Sequence, residues 1–455
     1  MPSFAQTHSR VTTYYNLRED AEILDRLKHM SRWKKPVLIV PALATEFTDP
    51  DNRPVFENIV QELATADYLA HVIFGLDGAS ENDVRQCISI LKSRGLQNYV
   101  IQWNDGAAFR GIYQTLEELG IDLSRRGKGR NVFMSFGVAM ALGSTTVGLL
   151  DADIRTFERT QLDRLFFPVL VHNYPFSKAF YARWDGKRLF GRVKRLLLDP
   201  LLLALKRKLS ESGDKKTLRL VDFLLSFDYQ LSGEMVFDMW LLKKMCYVLD
   251  WGVEIFTLIE VWRKAIMVAQ VEFTRGTFDH KHQRVSVDDA TKGLHRMSLD
   301  IINTLLHALI VEEGLEVGED FFRDLAMTYE SVAEDSIKKY SDNAEFNNLE
   351  YERDREERMV YEVLSQAVVQ SADSLTEPAH QTEKLLRLTT THPEFKPYID
   401  AGLQQAILSV EEKLKAQNLK ARHLPSWERI LWKSPDIGTD IVEALEADKE
   451  YFKNE

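Results

Sequence analysis

The chain has 455 residues, with 58 Lys plus Arg against 69 Asp plus Glu, a formal net charge of −11. Its 45% hydrophobic and 28% charged content excludes global disorder. The acidic balance excludes nucleic acid as the main partner, because phosphate contacts need a basic face. Two cysteines, Cys87 and Cys246, are too few for a disulfide framework or a four-cysteine zinc site. The first fifteen residues are polar and lack the apolar centre of a signal peptide. The most apolar long stretch, 132–150, is interrupted by Gly137, Gly143 and Ser144 and stops at Asp151. That suits a helix followed by a buried strand better than a membrane span. A cytoplasmic protein without membrane association is expected.

Val37 to Val40 is a β-branched run ended by Pro41, and His71 to Phe74 is a second, followed by a Gly-Leu-Asp-Gly turn. Between them Phe56, Ile59, Val60 and Leu63 follow helical spacing, and 81–94 repeats that pattern until Gly95. Cys87 falls on the apolar face of this second helix, which predicts burial. Strands are expected again at 99–101 and 146–150. Strands alternating with helices indicate an α/β domain with a largely parallel sheet. Ligands of such sheets bind beyond the carboxyl ends of the strands. The loops at 41–46, 77–80 and 151–153 are therefore expected to converge. Further on, 178–219 is basic, with 13 Lys or Arg against 4 Asp or Glu, whereas 311–358 has 16 acidic against 6 basic residues. Beyond about 290 the periodicity is nearly all helical.

Asp151-Ala152-Asp153 directly follows an apolar strand, so two carboxylates can reach one hard cation. Mg²⁺ and Mn²⁺ take oxygen ligands and bind readily between carboxylates and substrate phosphates. A basic glycine turn, 125–130, precedes the helix before that strand and could approach phosphate closely. In Asp279-His280-Lys281-His282, at most one imidazole would share the same ion, since i and i+2 point apart on a strand. Glu234 and Glu254 each stand beside a glycine, where a carboxylate can orient sugar hydroxyls or assist proton transfer. No G-x-G-x-x-G follows a strand, which disfavours a dinucleotide-dependent oxidoreductase.

In order, these motifs resemble nucleotide-sugar-dependent glycosyltransferases of the GT-A fold. They are most similar to the retaining glycosyltransferase family 81, the glucosyl-3-phosphoglycerate synthase family. The segments that carry the resemblance are Pro41-Ala42-Leu43 with Glu46, Asp77-Gly78-Ala79-Ser80, Gly127-Lys128-Gly129 and Asp151-Ala152-Asp153. They continue with 178–183 (KAFYAR), 191–193 (GRV), 231–234 (LSGE), 252–255 (GVEI) and His280.

The resemblance implies a GT-A (Rossmann-like) core over 36–310, with a donor half at about 36–153 and an acceptor half at about 154–310. An N-terminal extension, 1–35, would precede it and a mostly α-helical C-terminal region, 311–455, would follow. Pro41, Ala42, Leu43, Glu46, Asp77 and Ser80 would line the nucleoside site, with Lys128 and Asp151 at the donor. Asp153 and His280, with Asp151 close by, would hold Mg²⁺ or Mn²⁺. Lys178, Tyr181, Arg183, Gly191 and Arg192 would take the acceptor, and Glu254, Glu234 and the Leu231 carbonyl would serve catalysis. The implied activity is retaining transfer of a hexose, glucose first, from UDP-glucose or GDP-glucose to 3-phosphoglycerate or glycerate. A lipid or protein acceptor at a membrane surface is the alternative. Retention could run through an enzyme carboxylate or by same-face attack. The family pattern often continues Gly-Arg-Val with Thr-Glu, where this chain has Lys194-Arg195. The basic stretch either supplies a field for an anionic acceptor or packs against the acidic helices. The large helical tail allows a homodimer.

Overall fold

The computed structural model describes residues 6, 8, 10–18, 22–279, 293–317, 320–371 and 423–453. Eight strands form one sheet: β1 (Val11–Tyr14), β2 (Pro36–Leu43), β3 (His71–Asp77), β4 (Tyr99–Trp103), β5 (Thr146–Leu149), β6 (Phe176–Phe180), β7 (Met235–Asp238) and β8 (Val268–Glu272). Their spatial order is β1-β8-β6-β7-β5-β2-β3-β4. Within β5-β2-β3-β4 every pairing is parallel, as the alternation of strands and helices predicts. β2 and β3 are near-continuous apolar runs because helices cover both faces of a parallel sheet.

β7 alone runs against its neighbours, pairing antiparallel with both β5 and β6. Its beginning therefore lies on the same edge as the ends of the other seven strands. Along that edge the chain delivers 41–46, Asp77, 151–153, 181–183 and 231–234. The stretch before residue 36 adds the outer strand β1, paired with β8, so it is part of the sheet.

Beyond 311 the described residues are mostly helical and divide into two packing units. The Phe321–Phe346 helix lies on the Asp199–Ser212 helix. The Ile437–Tyr451 helix returns to the donor half and packs on the helices Ala107–Glu118 and Lys128–Ala141. Just before it, Trp427 is fully buried, stacks on Phe133 at 4.8 Å between centroids and donates its indole N–H to the Phe133 carbonyl at 3.0 Å. Gly137 makes room: a Cβ there would stand 2.3 Å from the indole.

Candidate active site

A cavity of ≈ 870 Å³ opens at the carboxyl edge of the sheet. On one side it is lined by Pro41, Ala42, Leu43, Glu46 and Asp77. Its floor carries Lys128, Asp151, Asp153 and Glu254, and its far wall Arg183, Arg192 and Lys194. The three loops expected to converge thus do so, except at Ser80.

Lys128 opens the Lys128–Ala141 helix behind Gly127, whose φ of +144° favours glycine. Its ammonium lies 2.7 Å from Asp151 Oδ1 and 3.1 Å from Glu254 Oε1. Burial opposes the charge on Lys128, but Asp151 and Glu254 outweigh it, so its pKa is raised. Two residues on, Arg130 pairs with Asp77 at 2.7 Å, both buried, with Tyr113 under the guanidinium. Asn131 donates to the Gly75 carbonyl at 2.6 Å. These two bonds fasten the helix to the end of β3.

Asp151 and Asp153 offer the oxygen donors that a hard divalent ion takes, and both line the cavity. Among the described residues no three His, Cys, Asp or Glu side chains come together as a complete metal site. The expected third ligand, His280, lies outside the described residues. Asp279, immediately before it, accepts from the Arg155 backbone N–H at 2.9 Å and donates its own N–H to Thr156 Oγ1 at 3.4 Å. The chain is thus held beside the D-x-D loop up to that point.

A buried polar layer lies beneath the floor. Tyr181 donates to Glu234 Oε2 at 2.6 Å, and Lys178 donates to the Ser232 carbonyl at 2.7 Å. Burial, then the charge of Asp151, pushes Glu234 up to about 7. Burial lowers Lys178 to about 8 against the pull of Glu254 and Glu234. Gly233 is wedged against Asp151: a Cβ there would sit 2.4 Å from Oδ2.

The structure revises several expectations. Lys178, fully buried, does not reach the cavity; its ammonium is used by the loop at 231–234. Tyr181 is sandwiched between Tyr229 and Phe278, at 4.9 and 3.7 Å between centroids. Glu234 is 1% exposed, below the floor rather than in it. Ser80 caps the Glu81–Ser93 helix, bonding Asp83 through both backbone and hydroxyl, and does not line the cavity. The basic stretch divides in two. Arg183, Arg192 and Lys194 face the cavity, whereas Arg195, Arg188 and Lys206 pair with Glu356, Glu350 and Asp222.

On the cationic wall, the buried Nε of Arg183 lacks a hydrogen-bond partner. Burial and then the nearby Arg355 lower the pKa of Arg192. Lys194 is ion-paired with Asp199 and lies over the Tyr229 ring. Desolvated guanidinium groups are suited to binding a small anion. Sequence reasoning missed Tyr229, Phe190, Trp251 and the Gly293–His307 helix, which lines the cavity through Leu294, Met297 and Ile301. Tyr229 stands two residues before Leu231, and that proximity was its only sequence signal.

One sheet edge thus gathers an acidic pair that suits a divalent ion, a lysine at a helix start and a cationic wall. This is the fold and cleft of a GT-A glycosyltransferase, an enzyme acting on nucleotide sugars. No protein-family model matches the chain. A glucosyl-3-phosphoglycerate synthase from Persephonella marina is 35% identical over 354 residues, 76% of this chain and 84% of that protein. Its counterpart from Methanococcoides burtonii is 30% identical over 353 residues, with the same coverage. The chain belongs to the glucosyl-3-phosphoglycerate synthase family. A crystal structure of the Mycobacterium tuberculosis synthase with Mn²⁺, UDP-glucose and phosphoglyceric acid is 22% identical. It matches with a TM-score of 0.47 over 66% of this chain and 88% of that one. Another, with Mn²⁺, UDP-glucose and glycerol 3-phosphate, is 20% identical with a TM-score of 0.45 over 64% and 86%.

Proposed function

We propose that this enzyme transfers glucose, with retention, from UDP-glucose or GDP-glucose to 3-phosphoglycerate or glycerate, using Mg²⁺ or Mn²⁺. The observation that carries this reading is the shared cavity. An Asp151–Asp153 floor suited to a metal diphosphate faces a wall of Arg183, Arg192 and Lys194 suited to an anionic acceptor.

Pro41, Ala42, Leu43, Glu46 and Asp77 cradle the nucleoside, and Lys128 turns from Asp151 toward the diphosphate. Asp153, with Asp151 and with His280 from the chain after Asp279, holds the ion. The ion's chemistry when bound is to offset the charge that grows on the leaving diphosphate. Arg183, Arg192 and the backbone at Gly191 orient the acceptor, and the Leu231 carbonyl accepts from its hydroxyl. The sugar C1–oxygen bond to the diphosphate breaks, a new C1–oxygen bond forms on the same face, and the acceptor proton passes to a diphosphate oxygen.

Two features favour same-face attack over a glycosyl-enzyme. Glu234 is buried under the floor, out of reach of a sugar carbon. Glu254 is ion-paired with Lys128 at 3.1 Å, which suits orienting the sugar better than attacking it. A lipid or protein acceptor loses part of its support, because several of the basic residues that suggested it are paired with acidic groups of this chain. No helix among the described residues is long and apolar enough to cross a membrane. We place the enzyme in the cytoplasm, in keeping with two cysteines that are both free thiols.

The test is a transfer screen of nucleotide sugars against 3-phosphoglycerate and glycerate with Mg²⁺ and Mn²⁺. Asp153→Ala is expected to abolish metal-dependent turnover. Full activity of that variant in the presence of chelator would sink the metal assignment, and a trapped adduct on Glu254 would overturn same-face attack.

A further inference from the structure

The helical hairpin of the Phe321–Phe346 and Arg353–Met359 helices, continued by the π-turn Val360–Leu364, contributes no residue to the cavity. It nevertheless grips the segment that supplies five consecutive cavity residues, Phe190 to Lys194. That segment bends at Gly191, φ +77°, and runs into a π-turn over Val193–Leu198. π-turns cost helical regularity and are often found where a side chain must be aimed.

Arg195 is the joint. Its guanidinium meets Glu356 twice, at 2.7 and 3.1 Å, with the two side chains 5% and 8% exposed. Its Nε donates to the Phe190 carbonyl at 2.9 Å, and Tyr340 lies 4.6 Å from its centre. One cation therefore ties both sides of the Gly191 bend to the hairpin. The other oxygen contact of Glu356 is the Tyr351 hydroxyl. Around this joint, Tyr329 donates to the Leu196 carbonyl at 2.7 Å, and the Glu350 N–H donates to the Lys187 carbonyl at 2.8 Å. The flanking turns of the segment are thus fixed from the same hairpin.

We propose that the 321–364 hairpin is a clamp that sets the acceptor side of the cleft, with Glu356 as its positioning residue acting through Arg195. Arg192 and Lys194 flank Val193, three and one residues from the joint respectively, so their aim depends on the bend that Arg195 closes. Arginine stays charged in proteins, so removing the Glu356 charge leaves a buried cation without its counter-ion. The bend then reorganises while the donor side, held by Arg130 and Asn131 on β3, does not. The acceptor role of this wall rests on the proposed function; the mechanical coupling does not.

The experiment uses the full chain and the variants Glu356→Gln and Glu356→Asp. In steady-state kinetics, Glu356→Gln is expected to raise KM for 3-phosphoglycerate on the order of tenfold. KM for UDP-glucose and kcat at saturation should stay within about twofold, and Glu356→Asp, which keeps the charge, should recover most of the loss. In hydrogen exchange, the amides of 187–198 should exchange faster in Glu356→Gln while those of 128–150 are unchanged. Equal exchange at 187–198 in variant and wild type overturns the clamp, as does a uniform loss across both substrates and both segments. A wild-type enzyme that ignores 3-phosphoglycerate yet shows the local exchange effect refutes the acceptor assignment and leaves the clamp standing.

Discussion

The close approach of Gly233 to Asp151 gives a sharp test of the site. Gly233 has no left-handed φ, so alanine is permitted by the backbone and only space decides. Its Cβ would stand 2.4 Å from Asp151 Oδ2 and 2.8 Å from Oδ1, where ordinary contact begins at 3.4 Å. The carboxylate must therefore retreat by about 1 Å, and it cannot do so freely while Lys128 holds it at 2.7 Å. A single inserted methyl of this kind costs about 1–3 kcal/mol of stability, which a chain of this size can survive. The displacement falls on a residue proposed to face the diphosphate, where a 1 Å error costs on the order of 10²-fold in rate. Gly233→Ala should therefore remain folded and lose about two orders of magnitude in kcat/KM for UDP-glucose, with more Mg²⁺ needed for half-activation. Gly438→Ala, where a Cβ meets nothing within 4 Å, is the control and should be indistinguishable from wild type. If Gly233→Ala keeps kcat/KM within about threefold of wild type, the wedge reasoning fails.

Two stability predictions follow from the C-terminal segment. Trp427→Ala removes a fully buried indole and its bond to Phe133, and should cost about 3–5 kcal/mol in urea unfolding. Proteolysis at the C-terminal helices would be accelerated in step, and an unchanged midpoint would show that they dock elsewhere. Asp448, in the last turn of its helix, is pushed up to about 6 by burial, and its Oδ2 is buried without a partner. Because its folded-state value is raised, the native chain keeps a proton that the unfolded chain has released. Its stabilising contribution is complete below about pH 4 and is lost as pH rises through 6. Asp448→Asn should flatten that part of the stability profile and gain about 1–2 kcal/mol at pH 7.5. Parallel profiles for variant and wild type would refute it.

The sequence made β2 to β5 and the convergence of their loops legible, because parallel strands buried on both faces are written as β-branched runs ending in turns. It hid β6 and β8 because each carries a buried polar residue. Lys178 in β6 serves a loop carbonyl, and Gln270 in β8 bonds Thr13 and Asp228. β1 is four residues on a sheet edge, too short to show a period. Motif residues whose backbone defines a turn, such as Gly127 and Gly191, are where the family pattern led. Long side chains were less predictable: nothing local distinguishes Lys178, turned inward, from Arg183, which reaches the cavity. The Arg195–Glu356 pair spans 161 residues and joins two regions whose opposite charges were visible only as totals. The acidic helices proved to be partners of the basic stretch as well as neighbours.

The reversed strand β7 has a consequence for how such an enzyme can change its substrate. The chain leaves the sheet at Phe180, on β6, and re-enters it at Met235, on the adjacent β7, at the same edge. Everything between is a single excursion anchored at two neighbouring points, and it carries Arg183, the Gly191 bend, Arg192, Lys194, Tyr229 and Leu231. The residues proposed for the nucleotide side lie on segments outside it, although Gly233, within it, packs against Asp151. A segment with that layout can be exchanged without altering a strand crossing, provided that Gly233 stays against Asp151 and the Arg195–Glu356 joint is kept. On the proposed roles, the sheet thus separates the choice of sugar recipient from the handling of the donor, with Gly233 as the contact between the two parts.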